Sequence, residues 1–89
     1  GLAVRIAENR FFLPAGLRRG ATFVEEIAAA NGGTVTAAKL RDRAGIGRGL
    51  AIEILEYFDR IKFTRRIGDD HQLLRPAREA LGAEETGPI

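Results

Sequence analysis

An α+β fold, with three helices followed by a β-hairpin, is predicted by three features of this 89-residue chain. Apolar residues recur at helical spacing in three stretches. The second and third stretches are joined only by Gly45-Ile46-Gly47, a tight turn between helices. Beyond the third, two short extended runs flank a polar turn at Gly68, Asp69 and Asp70.

Along the chain, "LAVRI" and "RFFL" read as two strands around a turn at Ala7, Glu8 and Asn9. Pro14 suits a first helical turn, because a missing N–H costs nothing there. Leu17, Ala21, Val24, Ile27 and Ala28 then mark one helical face. "NGG" ends that helix, with Asn31 and Gly32 able to turn left-handed. "TVT" is a brief extended link whose Thr36 can N-cap the second helix. Leu40, Ala44 and Ile46 face inward from it and from the following turn. The third helix runs from about Arg48 to Arg60, with Ala51, Ile54, Leu55 and Phe58 as core stripe and Leu50 and Tyr57 beside it. "FTRRI" and "HQLL" form the closing hairpin. Pro76 opens a short helical turn to Leu81.

The order helix, short strand, helix, tight turn, helix, hairpin is that of a winged helix, assigned to residues 14–75. Residues 76–89 are a terminal turn and a flexible tail, since "GAEETGPI" is too polar to pack. An all-helical bundle is the rival, but "RR" and "DD" around Gly68 fit a hairpin better. Residues 1–13 form a separate hairpin. "LAVRIAENRFFL" resembles "FTRRIGDDHQLL" in layout, either by chance or because the first hairpin is the wing of a preceding module.

Composition excludes several functions. With no Cys and a single His71, neither disulfides nor a clustered metal site can be built, and no cofactor is expected. No Ser or Cys is present to act as the usual nucleophile, so the chain reads as non-catalytic. His71 is expected to lie exposed on a strand, and Asp69 and Asp70 to be turn formers. The aromatic residues Phe11, Phe12, Phe23, Tyr57, Phe58 and Phe63 fall largely at core spacing. No apolar run reaches the ~18 residues that span a membrane. The chain opens on Gly1 and has no Met, so a piece of a longer, soluble, cytoplasmic protein is expected.

Charge is unevenly placed. Residues 34–66 carry eight Lys/Arg against four acids, while the net charge of the chain is only +2. A basic centre points to an anionic partner. Gly45, Gly47 and Gly49 around Arg48 match no nucleotide-binding fingerprint. The helix start can still hold one phosphate of a polymer, through free amides and the positive dipole end. Winged helices that read DNA push the third helix into the major groove. Here its outer face would present Glu53, Glu56 and Asp59, which phosphates repel. The cations lie around it instead, at Lys39, Arg41, Arg43, Arg48, Lys62, Arg65 and Arg66. That placement suits a folded RNA loop gripped by the edges of the helix–turn–helix and by the wing.

The run "RDRAGIGRGLAIEILEYFDRIKFTRRIGDDHQLL" resembles the last winged-helix module of the bacterial selenocysteine-specific elongation factors, the SelB family. Leu40-Arg41-Asp42, Gly45, Arg48, Ala51-Ile52, Leu55-Glu56-Tyr57, Asp59, Thr64-Arg65-Arg66 and Gly68-Asp69 fit that family's pattern. The likeness is close over residues 34–74 and loose over 1–33. It implies that this module grips the loop of an mRNA hairpin downstream of a UGA codon. It also implies that a GTPase part of the parent carries selenocysteinyl-tRNA to the ribosome. The fragment itself is expected to be a monomer that binds no membrane. Three positions depart from the pattern: Gly47 for Ser, Gly49 for Lys, and Lys62 for Gly. The alternatives are a DNA-binding winged helix of a transcription regulator and a winged helix that binds protein.

Overall fold

The computed structural model describes residues 3–82; the expected tail falls mostly outside them. The elements run β1 (Val4–Ala7), β2 (Arg10–Phe12), α1 (Pro14–Ala30), β3 (Thr34–Val35), α2 (Ala37–Ala44), α3 (Arg48–Arg60), β4 (Thr64–Ile67), β5 (Asp70–Leu73) and α4 (Ala77–Leu81). The winged-helix order is therefore present, including the short strand between α1 and α2. "TVT" is not a bare link. Val35 pairs with His71 and Thr34 with Gln72, so β5 lies between β3 and β4 in a three-stranded antiparallel sheet.

Local chemistry sets the helix ends. Thr36 Oγ1 accepts the Lys39 amide at 3.2 Å, the expected cap of α2. Asn31 keeps φ at −134°, so the positive-φ steps after α1 fall to Gly32 and Gly33. The Asn31 side chain instead donates to the Ile27 carbonyl at 2.7 Å. Pro76 cannot cap α4 with a side chain, and Glu25 of α1 does so, accepting the Ala77 amide at 2.7 Å. Gly68 takes φ 64° at the first central position of a two-residue turn between Ile67 and Asp70, the place where a type II′ hairpin needs glycine. The turn is thus Gly68-Asp69, and Asp70 already belongs to β5.

α3 ends in a Schellman motif. Phe63 N–H reaches the Phe58 carbonyl at 3.0 Å, and Lys62 N–H reaches that of Asp59 at 3.2 Å. The apolar contact that accompanies such ends is the Phe58–Phe63 pair, edge to face at 5.0 Å. The left-handed residue in the motif is Lys62, φ 67°, the one non-glycine at positive φ among the described residues. An L residue there costs ~1–2 kcal/mol, partly offset by glycine's greater freedom when unfolded. Lys62→Gly should therefore raise stability by about 0.5–1 kcal/mol and the melting temperature by a few degrees. A thermal melt checks this, and a lower melting temperature would mean that the lysine side chain itself stabilises the turn.

The core gathers Leu17, Ala21, Val24 and Ile27 of α1, Val35, Leu40, the α3 stripe Ala51, Ile54, Leu55 and Phe58, and Phe63. Ala44 and Ile46, expected inside, are half-buried against it. Phe11 is 58% exposed, against its expected place in the core, while Phe12 is half-buried. The β1–β2 hairpin also joins this core. Its Ile6 is 1% exposed, and Arg60 of α3 donates to the Ile6 carbonyl at 2.6 Å. Arg10 and Glu53 pair across the same contact at 2.9 Å.

Candidate nucleic-acid interface

α3 stands between two hairpins. Glu53 and Arg60 lie on its outer side and are engaged by β1–β2. Its other flank meets the β4–β5 wing. There Asp59 Oδ1 accepts from Thr64 Oγ1 at 2.6 Å and lies 3.0 Å from His71 Nδ1. Two expectations are corrected by this cluster. His71 is not exposed but buried, because it occupies the central strand opposite both Val35 and Arg66. Asp59 does not join an acidic outer face, because one helical step past Glu56 turns it under the wing. Of the three carboxylates, Glu53 is half-buried against the first hairpin and only Glu56 is freely exposed.

Between the start of α2, the strip of α3 facing the wing, and the wing itself runs a groove of about 360 Å³. Arg48, Ile52, Glu56, Arg66, Asp70 and His71 line it, and Thr36, Ala37 and Ala38 close its end. Clefts of this size admit one nucleotide-sized group rather than a duplex. The donors sit on two sides. Arg48 is the first residue of α3, whose N-cap is Gly47 and which has no side-chain cap. Its first-turn amides therefore remain free to bind an anion. Arg66 reaches in from β4, its Nε held by the Gly68 carbonyl at 2.9 Å. Glu56, Asp69 and Asp70 supply acceptors on the same surface.

Of the seven cations singled out by sequence, only Arg48 and Arg66 share this groove. Arg65 alternates with Arg66 and lies on the other face of the wing. Lys62 is exposed at the α3–β4 turn. Arg43 pairs with Glu26 and lies over the Phe23 ring, and Lys39 lines the same α1–α2 surface. Arg41 pairs with Asp42 at 2.9 Å. Sequence reasoning missed His71 and Asp70 as groove residues. The signal was the even spacing of Thr64 and Arg66 on β4, which puts both on the face that His71 shares across the ladder.

A helix–turn–helix backed by a three-stranded sheet, with a wing beside α3 and a charged groove between them, defines a winged helix of the nucleic-acid-binding kind. The family model described as elongation factor SelB, winged helix, matches residues 26–73. The chain belongs to that family. It is 47% identical over 77 residues to the selenocysteine-specific elongation factor of Escherichia coli (strain K12), covering 86% of this chain and 12% of that protein. The Haemophilus influenzae factor of the same name is 40% identical over 73 residues, 82% of this chain and again 12% of the relative. The chain thus spans about an eighth of the length of these relatives. The solved mRNA-binding domain of SelB from E. coli, in complex with SECIS RNA, superimposes with a TM-score of 0.77 at 44% identity, covering 82% of this chain and 60% of that one.

Proposed function

We propose that this domain binds an mRNA stem-loop of the SECIS type, taking an unpaired loop nucleotide into the groove between α2, α3 and the wing. The observation that carries this is the enclosure of α3. One flank is engaged by β1–β2 and the other by the wing, so the helix presents a slot rather than a free ridge for a DNA major groove. A-form RNA offers side chains its unpaired loops rather than its narrow major groove, and a slot suits a splayed nucleotide. Arg48 and Arg66 take phosphate or base at the rim. Lys62 and Arg65 follow the backbone along the wing. Lys39, Arg41 and Arg43 act at longer range, since two of them already hold acidic partners. The relative solved with SECIS RNA supports the choice of ligand. By the same family likeness, the longer protein is a cytoplasmic GTPase that brings selenocysteinyl-tRNA to the ribosome, and this piece contributes no catalysis.

Titration against a SECIS hairpin and a DNA duplex of equal charge tests the reading. The hairpin should bind more tightly, with a log–log salt slope of roughly −2 to −4 for ~3–5 neutralised phosphates. Equal binding of the duplex would favour a DNA reader. Glu53→Gln should leave hairpin affinity unchanged or slightly higher. It removes one carboxylate and an exposed ion pair worth at most about 1 kcal/mol.

A further inference from the structure

The Asp59–His71 contact fixes more than the angle of the wing. A carboxylate oxygen accepts and does not donate, so the hydrogen in the 3.0 Å contact belongs to His71 Nδ1. Thr64 Oγ1 donates to the same oxygen at 2.6 Å and holds it in place. A neutral imidazole protonated on Nδ1 carries its lone pair on Nε2, at the far edge of the ring. Asp59 holds the Nδ1 edge of that ring, Thr64 anchors Asp59, and His71 is among the residues that line the groove. Among the described residues, the sealed side-chain polar atom without a partner is Arg18 Nε, so Nε2 is not a buried orphan.

We infer that His71 is a specificity-determining contact of the groove. Its Nε2 accepts a hydrogen bond from an amino, imino or 2′-hydroxyl donor of the loop nucleotide, with Asp59 and Thr64 as the positioning residues that set its tautomer. This deepens the stem-loop reading and rests on it. Arg48 and Arg66 are donors and suit phosphate or a base acceptor, so they cannot recognise a donor hydrogen. Glu56 and Asp70 can, but both are exposed and solvated. His71 is 7% exposed and tied at its other nitrogen, so a nucleotide that fills the groove without donating to Nε2 shuts that acceptor off from water unpaired. An acceptor of that kind discriminates more than it attracts. The position is also structurally fixed, since the central strand β5 is hydrogen-bonded on both edges.

The test joins one spectrum and two variants. The ring nitrogen shifts of His71, read by long-range ¹H–¹⁵N correlation, should show Nδ1 protonated and Nε2 bare in the free protein. Nε2 should shift when a SECIS hairpin is added. His71→Asn places an amide N–H where Nδ1 stood and can keep the bond to Asp59, but removes the groove acceptor. It should reduce the preference for the SECIS hairpin over its loop-scrambled version about tenfold, with non-specific affinity unchanged. Asp59→Ala, which frees the ring from its fixed tautomer, should lose the preference as well. A purely structural cluster would leave discrimination intact in His71→Asn. That result, or a proton found on Nε2, overturns the inference. Failure of the parent chain to bind any hairpin overturns the stem-loop reading and the contact with it, whichever tautomer the ring shows.

Discussion

Phe58→Ala is expected to destabilise the domain by about 3–5 kcal/mol, the range for removing a large aromatic side chain from a packed core. Phe58 is fully buried at the last turn of α3 and packs edge to face on Phe63. It also holds the apolar contact of the Schellman end, so the turn into the wing loosens with the core. A domain of this size is stable by only ~4–13 kcal/mol, at ~0.05–0.15 kcal/mol per residue. The variant should therefore melt more than ~12 °C below the parent by circular dichroism. Leu55→Ala, also fully buried, should cost ~2–5 kcal/mol. Phe11→Ala is the internal control: that ring is 58% exposed and its loss should stay within ~0.5 kcal/mol. A Phe58→Ala protein that melts like the parent would show that the core is packed otherwise.

Arg48→Ala should weaken binding of a SECIS hairpin by about tenfold or more, the ~1–3 kcal/mol of a good base or phosphate contact. The melting temperature should stay the same or rise slightly. Arg48 is exposed, and a cation in the first turn opposes the helix dipole by a few tenths of a kcal/mol. The salt slope should become shallower by about one if the lost contact was to phosphate. Loss of discrimination between the hairpin and its loop-scrambled version would instead mark a base contact. Arg41→Ala, which breaks an exposed pair with Asp42, should change affinity much less. If Arg48→Ala binds as the parent does while Glu53→Gln abolishes binding, the RNA lies along the outer flank of α3. The groove is then not the site.

The helices and the cap of α2 were legible because their causes are local, whereas the Glu25 cap of α4 comes from 52 residues away. Thr36, Pro14 and the apolar spacing of α3 act within four residues of themselves. The hairpin followed from Gly68 in the same way, although its turn is two residues long and not the three expected. What escaped depends on pairing across the chain. β3 is two residues long, and nothing in "TVT" announces β5 as its partner. Asp59 reads as one more acid on a helix face until the wing folds back, and His71 as exposed until the sheet gives it two neighbours. The list of cations was legible as a set but not as a site. Arg43 and Lys39 stand four apart on α2 and so share a face, but it is the face turned toward α1, not toward the wing.

The bond from Arg60 to the Ile6 carbonyl joins residues 54 positions apart. In terms of assembly, β1 precedes α3 in the chain yet depends on it for its place in the domain. β1 has no docking surface until α3 exists, since Ile6 packs against that helix and Arg10 awaits Glu53. The helix–turn–helix and the wing are contiguous in sequence and can form without that long loop closure, which adds entropy cost but little delay per added residue. Wherever the first hairpin is undocked, the outer side of α3 is therefore open. Its narrowing to a slot thus depends on closing a loop of more than fifty residues.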